Sequence, residues 1–480
     1  MNFLAIDLGA ESGRALLGRF RAGILEVEVT HRFPNQAVMQ NGTLRWDVLR
    51  LWHEIRQAIE ALPVDELNSI AVDTWGVDYA LLGEGGQLLE NPYHYRDRRT
   101  DGAMAEVFRH LPREAIYRTT GIQFLSFNTI YQFWVAAQRT SRLLAATEAM
   151  VTIPDLINYW LTGRLVSEYT NATTTQFLDA NSGDWAWGLL KTLELPGHLL
   201  KPIVQPGTIL GPLQSGRFAG TPVVVPACHD TGSAVAAIST GPTTAFLSSG
   251  TWSLLGAELA KPVITDRARE LNFTNEGGVC GTIRLLKNIG GLWLLQSCRR
   301  NWAATGREYS YEQLLGSAAG ETALFESLID PDAAEFLNPL SMLNAIKLFC
   351  DRTGQQSPGT PGAYAKTILV SLAFKYRSVL ESLAELTGQK YEAIRIIGGG
   401  AKNRLLNQFT ANATGCRIMA GPVEATALGN IAMQMLATGA VRTLEEARAA
   451  IERSFPTDRY LPEETALWQS HYRRFQSYLA

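Results

Sequence analysis

Short apolar runs recur along the chain, and most of them end in an acid or a small residue. The first, Phe3-Leu-Ala-Ile, closes on Asp7, bends through Gly9-Ala-Glu-Ser-Gly13 and resumes at Ala15-Leu-Leu, so Asn2 to Phe20 predicts a β-hairpin around a glycine-bearing turn. A similar unit, TAFLSSGTWSLLGAEL, runs from Thr244 to Leu259. Two such hairpins half a chain apart predict a duplicated architecture in which each half opens the same way. Further strand-to-turn junctions follow in SIAVDTWGVDYALL (Ser69 to Leu82), TPVVVPACHDTGSAV (Thr221 to Val235) and IRIIGGGAKN (Ile394 to Asn403). Between them, apolar residues recur at helical spacing over Leu49 to Leu62, Ala363 to Thr387 and Ala425 to Thr438. Strands alternating with helices predict an α/β protein with mixed sheets flanked by helices. The polar stretch from Asp351 to Gly362 reads as a surface loop.

Length refines this picture: 480 residues exceed what one core usually covers, and two domains are expected, 1–236 and 237–480. Hydrophobic residues make up 46% and charged residues 19%, the balance of a packed chain rather than a disordered one. A net charge of −3 offers no basic surface for nucleic acid or acidic membrane, so small-molecule partners are expected, with the chain a monomer or small homo-oligomer. The N-terminus runs directly into an apolar strand and no apolar stretch is long enough for a membrane span. The five cysteines are widely spaced without a C-x-x-C pair, which fits a reducing cytoplasm better than a disulfide framework.

In open α/β sheets, ligands bind beyond the carboxyl ends of the strands, so polar residues just after strands are the first candidates for chemistry. Asp7 stands there, and the turn after it can direct backbone N–H groups at an anion, although a hairpin turn with glycines also serves structure alone. Asp230 follows the run Pro222 to Val225 and is read either as a helix cap or as a proton acceptor. Two such acids could share one phosphate site, one taking a hydroxyl proton and the other, Asp7, holding Mg²⁺ through water. LSSGTWS (Leu247 to Ser253) and IGGGAKN (Ile397 to Asn403) add turns that either admit a nucleotide to the backbone or simply turn tightly. Polar clusters at Trp75 to Asp78, Tyr95 to Arg99, Asn171 to Gln176 and Asn288 read either as sugar contacts or as solvated loops. Trp75 reads as sugar platform or core, and Lys287 as phosphate contact or solvated lysine. The chain has no G-x-x-x-x-G-K-[ST] loop, and Gln57 stands where a zinc helix begun by His53-Glu54 would need its second histidine.

These strings together resemble the FGGY family of carbohydrate kinases over nearly the whole chain, from Asp7 to about Thr438. The resemblance is carried by IAVDTWGVDYALL at Ile70, YRDRRT at Tyr95, GIQFLSFNTIYQ at Gly121, CHDTGSAV at Cys228, LSSGTWSLLG at Leu247 and GPVEATALGN at Gly421. NATTTQ, TNEGG and KNIGGLWLLQ narrow it to the members that phosphorylate L-rhamnulose in rhamnose catabolism. It implies two actin-like (ribonuclease H-like) domains related by duplication with a cleft between them, the first binding sugar and the second ATP. It also implies transfer of the ATP γ-phosphoryl to the sugar C1 hydroxyl with Mg²⁺ present. By position, Asp230 matches the proton acceptor, with His229 and Thr231 flanking it at the sugar; Gly76 and Asn288 match sugar contacts, and Asp78 shares the Gly76 cluster. Ala10, Glu11, Ser12, Gly13 and Arg14 match the phosphate-facing loop, and Thr251, Gln296, Gly399 and Gly400 the ATP pocket. Glu11 stands where a small residue is usual, so its side chain is expected to point outward or meet Mg²⁺ through water.

Overall fold

Residues 1–139, 141–322 and 324–479 are described by the computed structural model. The first apolar run is the strand Asn2–Leu8 (β1), which returns antiparallel as Ser12–Arg21 (β2), with Ile24–Pro34 (β3) beyond it at the edge. On its other side β1 runs parallel to Ser69–Thr74 (β4). Ile209–Pro212 (β5) and Pro222–Val224 (β6) complete the sheet in the order β5-β6-β4-β1-β2-β3. Every residue of β4 and all but the first of β1 are buried. Central parallel strands covered on both faces read as continuous apolar runs for this reason, which is why neither shows a period of two.

The second hairpin repeats the path. Thr244–Ser249 (β7) pairs antiparallel with Trp252–Leu259 (β8). Thr274–Gly277 (β9) and Ile283–Gly290 (β10) follow in the chain. Ala393–Ile397 (β11) lies parallel to β7, Arg417–Ala420 (β12) parallel to β11, and Asp458–Tyr460 (β13) closes the edge antiparallel. In both sheets a hairpin's first strand takes a parallel neighbour, then a second, then an antiparallel edge strand. That repetition is the duplication the two hairpins predicted.

The helices used below are Val48–Glu60 (α1), Tyr169–Thr174 (α2), Asp230–Ala236 (α3), Trp293–Ala304 (α4), Pro361–Thr387 (α5) and Ala425–Ala437 (α6). The three spans with helical spacing fall on α1, α5 and α6 almost to the residue. Local chemistry sets their ends: Asp47 accepts from the Arg50 N–H at 3.2 Å to start α1. Thr360 caps α5 just before Pro361, and Gly388 ends it in the left-handed conformation. Among the described residues no helix is long and apolar enough to cross a membrane.

The chain forms two compact units, Met1–Ser239 with Glu258–Leu285 and Ala425–Phe455, and Thr240–Ala257 with Leu286–Glu424 and Pro456–Ala480. The core of the first joins Leu4, Ile6 and Val72 from the sheet to Ile55, Leu156 and Leu161 from helices. Each such side chain contributes about 1.5–3 kcal/mol by leaving water. Late in sequence, α6 packs on this early sheet. Buried Gln434 donates to the Leu4 carbonyl at 3.0 Å and accepts from the Ser69 hydroxyl at 2.7 Å. These bonds fix the helix against β1 and β4.

Candidate active site

Parallel pairing brings three chain segments to one level at the carboxyl edge of the first sheet. Asp7 is the register partner of Asp73, and Leu8 of Thr74. The sheet pattern continues past β6 through a parallel bridge of Thr74 with His229, whose neighbour Asp230 opens α3. Asp7 is buried and ion-paired with Arg14, which faces it across the hairpin. Asp73, a candidate that sequence reasoning passed over, is fully buried; its Oδ2 accepts from Asn430 of α6 at 2.6 Å. Its Oδ1 has no hydrogen-bond partner among the described residues. Burial, then the charges of Asp7 and Asp230, hold the Asp73 carboxyl well above its ordinary range, against the pull of Asn430 and Arg14. Its signal was the same as that of Asp7, an acid closing an apolar strand.

The turn after β1 is held from outside. Asn35 donates its side-chain N–H to the Gly9 carbonyl at 2.8 Å and its backbone N–H to the Glu11 carbonyl at 3.1 Å. Gly13 is glycine because a Cβ there would lie 2.2 Å from the Phe33 ring. Glu11 is exposed, and Ser12 partly so, on this clamped turn.

Asp230 keeps one oxygen for its own helix. Its Oδ1 accepts from the Thr231 backbone N–H at 2.6 Å and the Thr231 hydroxyl at 3.2 Å, while Oδ2 has no hydrogen-bond partner among the described residues. The side chain is 32% exposed, so that oxygen is open to a ligand. The cap position proper belongs to His229. His229 is buried, with Nε2 at 3.4 Å from Asp230 Oδ1 and Nδ1 at 3.2 Å from both Glu276 Oε2 and Arg284 Nη2. Burial lowers the pKa of the Arg284 guanidinium, opposed by Glu276, Asp230, Glu168 and Glu258.

The NATTTQ string is not a solvated loop; it forms most of α2 and the residues after it, all buried. Glu168 caps it, accepting from Thr170 N–H, Thr170 hydroxyl and Asn171 N–H at 2.7–2.9 Å. The threonines of α2 then accept from three distant segments: Thr170 from His229 N–H at 3.1 Å, Thr174 from Val77 N–H at 3.1 Å and Thr173 from Gly277 N–H at 3.0 Å. Val77 has a φ of 68°, a strained setting for a β-branched residue. It is held there because its carbonyl also accepts from the Thr129 hydroxyl at 2.6 Å. Gly76 lies against Thr174, partly exposed. Asp78 turns inward: Oδ2 accepts from Trp46 Nε1 at 2.6 Å, Trp75 Nε1 at 3.0 Å and Tyr95 N–H at 3.2 Å, and Oδ1 from Gln132 at 2.9 Å. Burial pushes its pKa up to about 6 against the hydrogen bonds from Gln132, Trp46 and Trp75 and the charge of Arg99. Trp75 belongs to the core, its ring tilted against that of Trp46 with centroids 4.2 Å apart.

In the second unit the predicted nucleotide residues gather on one turn. Gln296 of α4 donates to the Thr251 hydroxyl at 3.4 Å, and the Leu292 and Trp293 N–H groups donate to the Gly250 and Thr251 carbonyls at 2.9 and 3.1 Å. Gly400 is pressed on Ser249, leaving no room for a Cβ (2.0 Å from its hydroxyl), whereas Gly399 is exposed. Asn288 is partly exposed on β10. Its neighbour Lys287 is not the solvated lysine expected: it is partly buried, and burial followed by the charge of Lys375 lowers its pKa against Asp332 and Asp330. Lys375 itself lies 2.8 Å from Asp330 Oδ1 and 3.0 Å from Asp332 Oδ2, and Asp332 accepts the Gly290 N–H at 2.7 Å. This charged cluster had no signal in local sequence.

Two sheets of one duplicated topology, with acids and glycine turns at their strand ends, define a two-unit α/β enzyme of the actin-like ATPase fold. Solved structures share that fold: a ligand-bound xylulose kinase from Lactobacillus acidophilus, 18% identical, at a TM-score of 0.81 over 99% of this chain and 97% of that one. A glycerol kinase with ADP from Plasmodium falciparum, 14% identical, gives 0.78 over 99% and 97%. Models of the N- and C-terminal domains of the FGGY family of carbohydrate kinases match residues 2–237 and 245–438. Proteins named rhamnulokinase are similar along the full length: 43% identical in Bacteroides thetaiotaomicron (99% of both chains) and 40% in Bacillus subtilis (97% of this chain, 96% of that one). The chain belongs to the FGGY family of carbohydrate kinases.

Proposed function

We propose that this chain transfers the terminal phosphoryl group of ATP to the C1 hydroxyl of L-rhamnulose, giving L-rhamnulose 1-phosphate and ADP. The full-length similarity to rhamnulokinases supports the substrate, and the open Oδ2 of Asp230 at the sheet edge supports the chemistry. Asp230 accepts the C1 hydroxyl proton as that oxygen attacks the γ-phosphorus in line with departing ADP. Gly76, His229 and Thr231 position the sugar, which is assigned to the unit built on 1–236. Asp78, with all four donors inside the protein, acts by holding Trp75 and the Gly76 turn in place. Backbone N–H groups of Ala10 to Gly13, with Arg14, face the phosphates, and Thr251, Gln296, Gly399 and Gly400 contact ATP in the unit built on 237–480.

Mg²⁺ fits the donor set. Among the described residues no group of three or more His, Cys, Asp or Glu could hold a metal ion. Mg²⁺ commonly keeps its waters and takes one or two carboxylates plus substrate phosphates. Asp7, a hard oxygen donor beside the unpartnered Oδ1 of Asp73, would hold it, and the ion would offset charge on the β- and γ-phosphates. The test is Asp230→Asn, which keeps the shape but removes the base: turnover is expected to fall at least ~10²-fold with sugar binding kept. Near-normal turnover would remove Asp230 from the mechanism. ADP release measured against L-rhamnulose, L-fuculose, L-xylulose, ribulose and glycerol checks the sugar, and preference for another ketose would overturn the assignment.

A further inference from the structure

We propose that Arg284 is a positioning residue that acts on Asp230 through His229, an inference that rests on Asp230 being the proton acceptor. Arg284 is fully buried on β10. Its Nε donates to the Gly277 carbonyl at 2.9 Å, and its Nη2 lies 3.2 Å from His229 Nδ1 and 3.3 Å from Glu276 Oε2. A guanidinium has only N–H donors. Glu276 Oε2 stands equally close to Nδ1 at 3.2 Å, but of the two contacts only that with Arg284 has hydrogen-bond geometry, so Nδ1 presents a lone pair to the guanidinium and the neutral ring carries its proton on Nε2. That Nε2 faces Asp230 Oδ1 at 3.4 Å. Together with the two Thr231 donors it turns Oδ1 toward the protein and leaves Oδ2 as the oxygen for the substrate. With the proton on Nδ1 instead, Nε2 would aim a lone pair at the Asp230 carboxylate. Glu276 neutralises the guanidinium. Such a buried ion pair adds little to stability compared with apolar side chains of the same volume, which accords with a positioning role beneath His229.

The test uses the full chain with ¹⁵N-labelled histidine, the His229 signals being identified by their loss in His229→Asn. At neutral pH the spectrum is expected to show Nε2 protonated and Nδ1 bare. In Arg284→Met the ring should shift toward the other tautomer, and kcat for sugar phosphorylation should fall roughly 10- to 100-fold with KM for ATP nearly unchanged. Arg284→Lys keeps a donor and should recover part of the loss. A protonated Nδ1 in the unsubstituted protein, or an Arg284→Met kcat within about twofold of the parent, overturns the proposal. If Arg284→Met fails to fold, the spectrum of the unsubstituted protein still decides. Lost turnover in Asp230→Asn alongside a protonated Nδ1 overturns this proposal alone. Full turnover in Asp230→Asn alongside a bare Nδ1 overturns the base assignment and leaves the tautomer standing.

Discussion

Gly429 is where a single added methyl group should cost the most. It lies in α6, and a Cβ built there falls 1.7 Å from the Ser233 carbonyl oxygen and 2.6 Å from its carbon, with the Ala237 nitrogen at 3.1 Å. All three are backbone atoms of α3 or its end, so no rotamer change relieves the clash. An ordinary C···O approach is about 3.3 Å, so Gly429→Ala must part the two helices by more than ~1 Å. Alanine gains ~1 kcal/mol in helix propensity over glycine. Overpacking costs ~1–3 kcal/mol in cores where side chains can adjust, and more where only backbone can move. The expected net is a loss of ~1 kcal/mol or more, a drop of roughly 2 °C or more in the unfolding midpoint. Because α3 begins at Asp230, the same displacement moves the proposed base, and ~1 Å of misplacement is worth about 10²-fold in rate. ADP release with L-rhamnulose and thermal unfolding should be measured side by side. Gly316→Ala, in the helix Tyr311–Gly320 where a Cβ meets nothing within 4 Å, serves as the contrast and should stabilise by ~0.5–1 kcal/mol with activity kept. Parental stability and turnover in Gly429→Ala would refute the close-packing argument.

Two other substitutions probe buried charge. Lys375→Met takes from buried Asp330 an ammonium 2.8 Å away and should destabilise by up to ~3–5 kcal/mol, read from urea denaturation; an unchanged curve would mean that the pair is solvated in the folded state. Burial pushes Glu168 up to about 8 against the donors of α2, with a small push from Asp155, itself near 7. A carboxyl whose folded pKa exceeds its unfolded value favours the fold most when protonated, so this contribution is complete below about pH 4.5 and is lost as pH rises through about 8. Glu168→Gln should therefore flatten the fall in stability from about pH 5 to about pH 8, and parallel curves for the two proteins would contradict the assignment.

The elements were legible because their causes are local. A hairpin needs only two apolar runs and a turn within about twenty residues, and α5 shows as apolar residues at helical spacing over Ala363 to Thr387, although its first turn, Pro361 and Gly362, falls in the stretch that reads as loop. Asp7 and Asp230 could be picked out because each ends an apolar run, and the resemblance to a known family supplied roles that spacing alone left open. The partners were another matter. Asp73 meets Asp7 only through the register of parallel strands, and Asn430 reaches Asp73 across 357 positions of chain. Glu276 and Arg284 come beneath His229 because residues 258–285 fold with the first unit. Asn171 to Gln176, open between sugar contacts and solvated loop, folded with Thr170 into a buried brace on His229, Val77 and Gly277, and Lys287 left the surface for a charged cluster.

Sequence by itself thus determined the two hairpins, three of the helices, the duplication and the acids Asp7 and Asp230, since apolar spacing and turn chemistry act between near neighbours. Tertiary structure alone decided which oxygen of Asp230 stays open, which nitrogen of His229 meets an arginine and which carboxylates are buried. Those properties depend on distance and solvent access between residues far apart in the chain, and spacing along a sequence carries neither.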